Sequence, residues 1–241
     1  MNAMIEGLLS HRSIRKYQER PVSPDLLNQI LEAGARSATP AEMQFYSFIL
    51  IDRPEVLKQM NCPAPLALVA CIDLYRHNRW MQLRGADPLD GNAPDLLFCF
   101  WDVALAAQNI IVAAESLGLG TIVGIRDFTG ILDTPEGVYP AAMIGLGYPD
   151  ESPELRSRFP LAAIVHRDAY QVPSDDDVAT WYGFLDRKWK EPLAERFSTK
   201  AGAPCKNYAE VLSALLTLET GWIANNLRRT GFTVAETAEI S

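Results

Sequence analysis

DVALAAQNIIVAAESLGLGTIVGI, residues 102–125, carries a helix into a strand, and that order decides the fold. Residues 102–120 hold no helix breaker before Gly118 and are apolar on nearly every face, which predicts a central, buried helix. TIVGI follows as a short strand. The spacing of Gly118, Gly120 and Gly124 superficially matches a dinucleotide fingerprint. In that fold the glycines leave a strand and open a helix, so that the helix N-terminus meets the pyrophosphate. Here they leave a helix and enter a strand, which argues against a Rossmann site. Gly118 and Gly120 read as helix capping. Gly124 lies beyond the cap, between Val123 and Ile125, where a glycine permits another group to approach the backbone closely.

Upstream, Ser23 and Pro24 open an amphipathic helix over 24–35, with Leu26, Leu27, Ile30 and Leu31 on one face. SATPAEMQ (37–44) is a polar break, and FYSFILI (45–51) and LALVACI (66–72) read as strands joined through a short helix after Pro54. Residues 75–95 carry Gly85, Pro88, Gly91 and Pro94 and read as a loop with room for a short helix. Downstream, AAMIGLGY (141–148) and LAAIVH (161–166) are further strand candidates, separated by the basic linker PELRSRFP. From about residue 174 the chain is helical and aromatic: Asp175, Asp176 and Asp177 mark a helix start, WYGFLDRKW follows, then YAEVLSALLTLETGWIANNLRRTGF. Strands and helices alternate at the centre with helices at both ends, so the expected class is α+β with a mixed sheet. The expected organisation is a single domain over 1–241, with 174–241 as a C-terminal helical extension.

The 241 residues are 48% hydrophobic, enough for a sizeable core. A net charge of −8 does not suit non-specific nucleic-acid binding or an anionic membrane surface. No run of about 18 apolar residues is expected to span a membrane. The N-terminus, MNAMIEGLLSHR, lacks a basic region followed by an apolar run, so no secretory signal is expected and the expected location is cytoplasmic. Cys62, Cys71, Cys99 and Cys205 make no metal-ligand spacing and read as reduced thiols. His11, His77 and His166 show no metal pairing, and there is no P-loop, GxSxG or HExxH.

What remains is positive charge gathered in an acidic protein. HRSIRKY (11–17) places His11, Arg12, Arg15 and Lys16 around Ser13, and LRSRFP (155–160) places Arg156 and Arg158 two residues apart. Each cluster is either solvated surface or a seat for an anion. Arginine offers bidentate donors to phosphate oxygens.

Four segments, in order, resemble the FMN-dependent nitroreductase and flavin reductase family. They are HRSIRKYQERPVSPDLLNQILEAGARSA (11–38), ALAAQNIIVAAESLGLGTIVG (104–124), LRSRFPLAAIVHRDAY (155–170) and IANNLRRTGF (223–232). The last resembles the closing helix of the oxygen-insensitive, NADPH-dependent branch. The resemblance implies a nitroreductase-like fold with a mainly antiparallel central sheet flanked by helices. It implies FMN bound without a covalent bond, with His11, Arg12 and Ser13 at the phosphate and ribityl chain and Arg156 and Arg158 closing on the phosphate. Arg15 matches the residue at the pyrimidine edge of the ring, where a fixed cation stabilises the negative charge left by two-electron reduction. Thr39, Pro40, Ala41 and Gln44 match the loop that contacts the flavin. Val123 and Gly124 match the strand passing N5, where a backbone N–H can donate. Gln59 and Asn61 are both open as contacts to the pyrimidine.

The family pattern further implies a homodimer with FMN sites at the subunit interface. It implies a ping-pong cycle in which NADPH or NADH reduces the flavin and a nitroaromatic, quinone or related acceptor then takes the electrons. The flavin performs the chemistry, so no acid–base residue is required. Three departures stand out. SATPAEMQ lacks the serine run of one branch and the PSxxN pattern of the other. TIVGIRD carries one glycine where relatives often carry two. The basic residues of 187–190 and 200–206 do not match the loop that selects NADPH, so the donor stays open. Two alternatives remain: a specialised dehalogenase or flavin-modifying enzyme of this fold, with 75–95 as its lid, or a flavin-binding protein without turnover.

Overall fold

The computed structural model describes residues 2–186 and 205–234. The basic residues at 187–190 and most of 200–206, weighed above for nucleotide selection, lie outside them, as does the end of the WYGFLDRKW helix. The chain divides into two compact units, Met1–Leu155 with Ile223–Ser241, and Arg156–Trp222.

The first unit is built on four strands, β1 (Tyr46–Ile51), β2 (Leu66–Asp73), β3 (Gly120–Gly124) and β4 (Val138–Gly147), in the order β1-β2-β4-β3. Every strand pairing is antiparallel. Parallel pairing among the described residues is confined to the isolated bridge between Ser13 and Thr121. All of β2 is buried, as its unbroken apolar sequence requires of a strand covered on both faces. Leu66 and Leu68 join one core with Ile30, Ile110 and Ile144. The alternate residues Ala67, Val69 and Cys71 join another with Val56, Leu57, Phe128 and Met143. β4 begins three residues before the expected strand and takes in Pro140, opposite a register irregularity at Ala70/Cys71. A proline is tolerated there because the ladder is already interrupted.

Six α-helices occur among the described residues up to Asp186. They are α1 (Ala3–Leu9), α2 (Pro24–Ala35), α3 (Pro54–Gln59), α4 (Tyr75–Leu83), α5 (Ala93–Ser116) and α6 (Asp175–Asp186), and α7 (Tyr208–Arg229) follows. α2 has the expected bounds, with Ser23 accepting from the Leu26 amide. It packs on α5 so closely that a Cβ on Gly34 would lie 2.5 Å from Ile110 Cδ1. The loop expected over 75–95 contains all of α4 and the first turn of α5. α5 starts at Ala93 because Asn92 and Asp95 cap it reciprocally and Pro94 stands in the first turn, where no amide donor is lost.

α5 begins nine residues before the helix expected from 102, and the added N-terminal turns are exposed on one side. Leu96, Cys99, Val103, Ala106, Ile110 and Ala114 form a buried stripe, while Leu97, Phe98, Phe100 and Trp101 are exposed. The expectation that no segment has the length and apolarity of a membrane span also falls. α5 reaches a mean hydropathy of 1.8 over 18 residues, yet it is the helix on which β2, β1, β3 and β4 pack. α1, absent from the sequence reading, is capped by Asn2 and exposes Met4, Ile5, Leu8 and Leu9. Burial pushes the thiols of Cys71 and Cys99 up to about 12, and none of the four cysteines is in a disulfide.

The second unit opens with Arg156 and Arg158. The strand expected over 161–166 is a 3-10 turn, Leu161–Ala163. Pro160 presets the turn, and its hydrogen bonds close locally, from Ala163 to Pro160 and from Ile164 to Leu161. α6 begins with the anticipated acidic turn, and Ser174 and Asp177 exchange hydrogen bonds at its start. Phe159 packs tilted against Tyr182 and edge-to-face against Phe184, with ring centroids 4.8 and 5.1 Å away. The boundary with the first unit falls inside α7, between Trp222 and Ile223.

Candidate functional site

The HRSIRKY segment lies along the start of β3. Ser13 bridges Thr121, and the Ile14 amide donates to the Thr121 carbonyl at 2.8 Å. A Cβ on Gly120 would lie 2.6 Å from Ile14 Cγ1. Gly120 is therefore not a helix cap. Its missing side chain lets the basic segment seat against β3, whereas Gly118, at φ +82, does end α5. Gly120 read as a cap because the helix was expected to run on to residue 120, whereas α5 ends at Ser116.

His11 is one-third exposed, and its Nδ1 lies 2.8 Å from Glu115 Oε1, which also accepts from the Thr121 hydroxyl at 2.6 Å. A carboxylate only accepts, so Nδ1 carries a proton and Nε2 is the ring atom left for a ligand. Arg12 donates to the carbonyls of Ser10 and Pro153 and to the Ser152 hydroxyl at 3.1–3.2 Å. Arg15 is exposed, with its guanidinium 3.4 Å from the Ser13 carbonyl. The backbone amides of Arg15 and Lys16 both donate to Glu151. Behind them, the Tyr17 hydroxyl donates to the Ile14 carbonyl, and burial raises its pKa well above the usual tyrosine range. A cleft of about 220 Å³ lies among Ser10, Arg12, Glu115, Gly120, Glu151 and Ser152. Val123, nearly half exposed, and Gly124 continue β3 from this point. At Gly124 an added Cβ would meet only the flexible end of Met143, at 3.1 Å.

Thr39, Pro40, Ala41 and Gln44 lie elsewhere on the unit. The Thr39 hydroxyl donates to Asp102 Oδ2 at 2.9 Å, and Gln44 donates from its side chain to the Ala35 carbonyl and the Tyr46 hydroxyl. An apolar cleft of about 370 Å³ runs from Ala38, Thr39 and Pro40 to Leu97, Phe98, Trp101 and Leu105. Asp102 and Glu115 are thirteen residues apart on one helix, which separates the two groups by about 20 Å along α5. One chain thus holds His11, Arg12, Ser13 and Arg15 beside the start of β3, with Val123 and Gly124 further along that strand, and the 39–44 loop elsewhere. Arg156 and Arg158 belong to the second unit, where the Arg158 guanidinium donates to the carbonyls of Arg156 and Ser157. Asn61 is exposed with a left-handed backbone, φ 50. Glu115 and Asp102 were not anticipated. Both sit in a helix whose apolar neighbours mark it as core, and no local pattern distinguishes its carboxylates.

The nitroreductase family model matches residues 8–148, more than half of the chain. This chain belongs to the nitroreductase family. It is 33% identical over 193 residues to the FMN reductase (NADPH) of Bacillus subtilis, covering 73% of this chain and 78% of that one. It is also 33% identical over 216 residues to the oxygen-insensitive NADPH nitroreductase of Salmonella typhimurium, covering 83% and 85%. Among solved structures, B. megaterium NfrA2 superposes with a TM-score of 0.80 at 28% identity, covering 98% of this nitroreductase-family chain and all of that one. The NADPH:FMN oxidoreductase of Vibrio harveyi complexed with NAD+ superposes with a TM-score of 0.73 at 25% identity, covering 96% and 99%. The α+β nitroreductase-like fold expected from the sequence is borne out.

Proposed function

We propose that this nitroreductase-family protein is an FMN-dependent oxidoreductase that takes electrons from NAD(P)H and delivers them, two at a time, to nitroaromatics, quinones or related flat acceptors. The observation that carries the reading is the seating of His11, Arg12 and Ser13 on β3 beside a cleft, with His11 fixed by Glu115. The Arg12 guanidinium and the Ser13 hydroxyl are donors that fit a phosphate, and Glu115 fixes the His11 ring in the same segment. The family likeness and the names of the relatives, FMN reductase (NADPH) and oxygen-insensitive NADPH nitroreductase, support the same cofactor and an NADPH donor.

FMN, when bound, supplies the hydride chemistry. His11, Arg12 and Ser13 hold its phosphate and ribityl chain, and Arg156 and Arg158 add charge to the phosphate. Arg15 places a permanent positive charge at the pyrimidine edge. Val123 and Gly124 offer exposed backbone beside the ring, and Thr39, Pro40, Ala41 and Gln44 wall it. About 20 Å of α5 separates that loop from the basic segment of the same chain, which supports a site shared between two chains. The reading is a homodimer with FMN at the subunit interface. The exposed Leu97, Phe98 and Trp101 beside the 39–44 loop supply an apolar face for the partner. The chain acts as one nitroreductase-like domain with residues 174–241 as a helical extension, in the cytoplasm.

An anaerobic absorbance spectrum of the purified protein, taken before and after adding NADPH and then NADH, tests the reading. Flavin bands near ~450 nm that bleach with either nucleotide are expected, and the rates rank the donors. Bands that neither nucleotide bleaches would favour a flavin-binding protein without turnover. A protein that contains no flavin and takes up no added FMN would overturn the proposal.

A further inference from the structure

The 39–45 loop is held in a costly conformation. Ala41, Glu42 and Gln44 have φ values of 49, 58 and 52, left-handed backbone at three residues that are not glycine. Such a run persists only if its surroundings impose it. The tethers converge on one side chain. Asp102, fully buried on α5, accepts through Oδ2 from the Thr39 hydroxyl and from the Phe45 amide, each at 2.9 Å. The Gln44 amide in turn donates to the Thr39 hydroxyl at 3.0 Å. Both ends of the strained run are therefore tied to a single carboxylate oxygen. From the other side, Arg76 donates to the carbonyls of Gln44 and Tyr46 at 2.7 and 3.2 Å, and His77 contacts the Met43 carbonyl. Oδ1 of Asp102 is buried and has no partner among the described residues. A half-satisfied carboxylate in the core costs folding stability, and an apolar side chain would fill the same place on α5 more cheaply.

We infer that Asp102 is the positioning residue of the flavin loop: it imposes the left-handed conformation of Ala41, Glu42 and Gln44 and so sets the surroundings of the flavin ring, without touching the flavin. The inference rests on the FMN reading above. It differs from that reading in what it governs, since Asp102 acts on the ring and the basic segment acts on the phosphate. Asparagine can stand in, because its single carbonyl oxygen can accept both bonds that Oδ2 accepts. Alanine cannot.

The test compares Asp102→Ala, Asp102→Asn and Arg12→Ala with the wild type. It measures affinity for FMN and for riboflavin, which lacks the phosphate, and the visible circular dichroism and midpoint potential of bound FMN. Asp102→Ala is expected to weaken both flavins in parallel, by about tenfold, and to shift the dichroism and the potential. Asp102→Asn is expected to stay close to the wild type in all readouts, and Arg12→Ala to change the ratio of the two affinities. Should Asp102→Ala fail to fold, Thr39→Val removes the hydroxyl relay at the loop itself and is expected to shift the same spectroscopic signature. The inference is overturned if the alanine variant, or Thr39→Val in its place, melts earlier but binds flavin with unchanged affinity, dichroism and potential. It is equally overturned if the asparagine variant loses them as fully as alanine. A wild type that binds neither flavin overturns the FMN reading and takes this inference with it.

Discussion

At the scale of the residue, the basic segment is distinguished by how little of it is idle. His11 is oriented by Glu115, Arg12 is braced by three oxygen acceptors, and the Arg15 and Lys16 amides are anchored on Glu151. These contacts hold the donors in place before a ligand arrives, which reduces the ordering cost of binding. Charge-assisted hydrogen bonds contribute about 1.5–3 kcal/mol. Arg12→Ala is therefore expected to weaken FMN by about tenfold or more while leaving riboflavin nearly unchanged, as read by fluorescence titration. An equal loss for both flavins would place Arg12 away from the phosphate. Raised salt is expected to weaken FMN in the wild type more than in this variant.

At the scale of the element, most of the first unit was legible in the sequence. α2 was bounded by a serine cap and a proline, signals that act locally. β1 and β2 were apolar runs of strand length, and the helix-to-strand order around Gly118 was decisive. What could not be read depended on distant partners. LAAIVH has strand composition but finds no strand among the described residues, so its backbone closes into a turn. The start of α5 was hidden by Pro94 and Gly91, which look like loop residues until the Asn92–Asp95 cap is recognised. The strained 39–44 loop was singled out for its resemblance, but its tether to Asp102 spans 63 residues of sequence and leaves no local mark. Gly120 is the position where this can be tested by packing. Gly120→Ala would force its Cβ into the buried, β-branched Ile14, costing about 1–3 kcal/mol in denaturant unfolding. Ile14→Ala in the same chain is expected to recover part of the loss, since the two positions touch. Purely additive costs would show that Gly120 is not what seats the segment.

At the scale of the whole molecule, the feature that stands out is apolar surface in a chain of net charge −8. Met4 and Leu9 of α1 and Leu97 and Trp101 of α5 are each about two-thirds exposed, and the apolar cleft beside the 39–44 loop opens on the α5 residues. A surface of this kind marks a contact with another molecule. The wild type is expected to sediment as a dimer, and Trp101→Glu to sediment as a monomer that has also lost its flavin. A wild type that is monomeric and fully loaded with flavin would refute the shared site.

The 20 Å of α5 between the basic segment and the 39–44 loop has a genetic consequence. In the proposed dimer each chain donates the first to one site and the second to the other. Two alleles, one damaged at Arg12 and one at Thr39, are then each impaired alone. A mixed dimer of their products concentrates both lesions in one site and leaves the other intact. Co-expressed from one cell, the two mutants are expected to complement each other, and a third allele carrying both lesions is expected to complement neither.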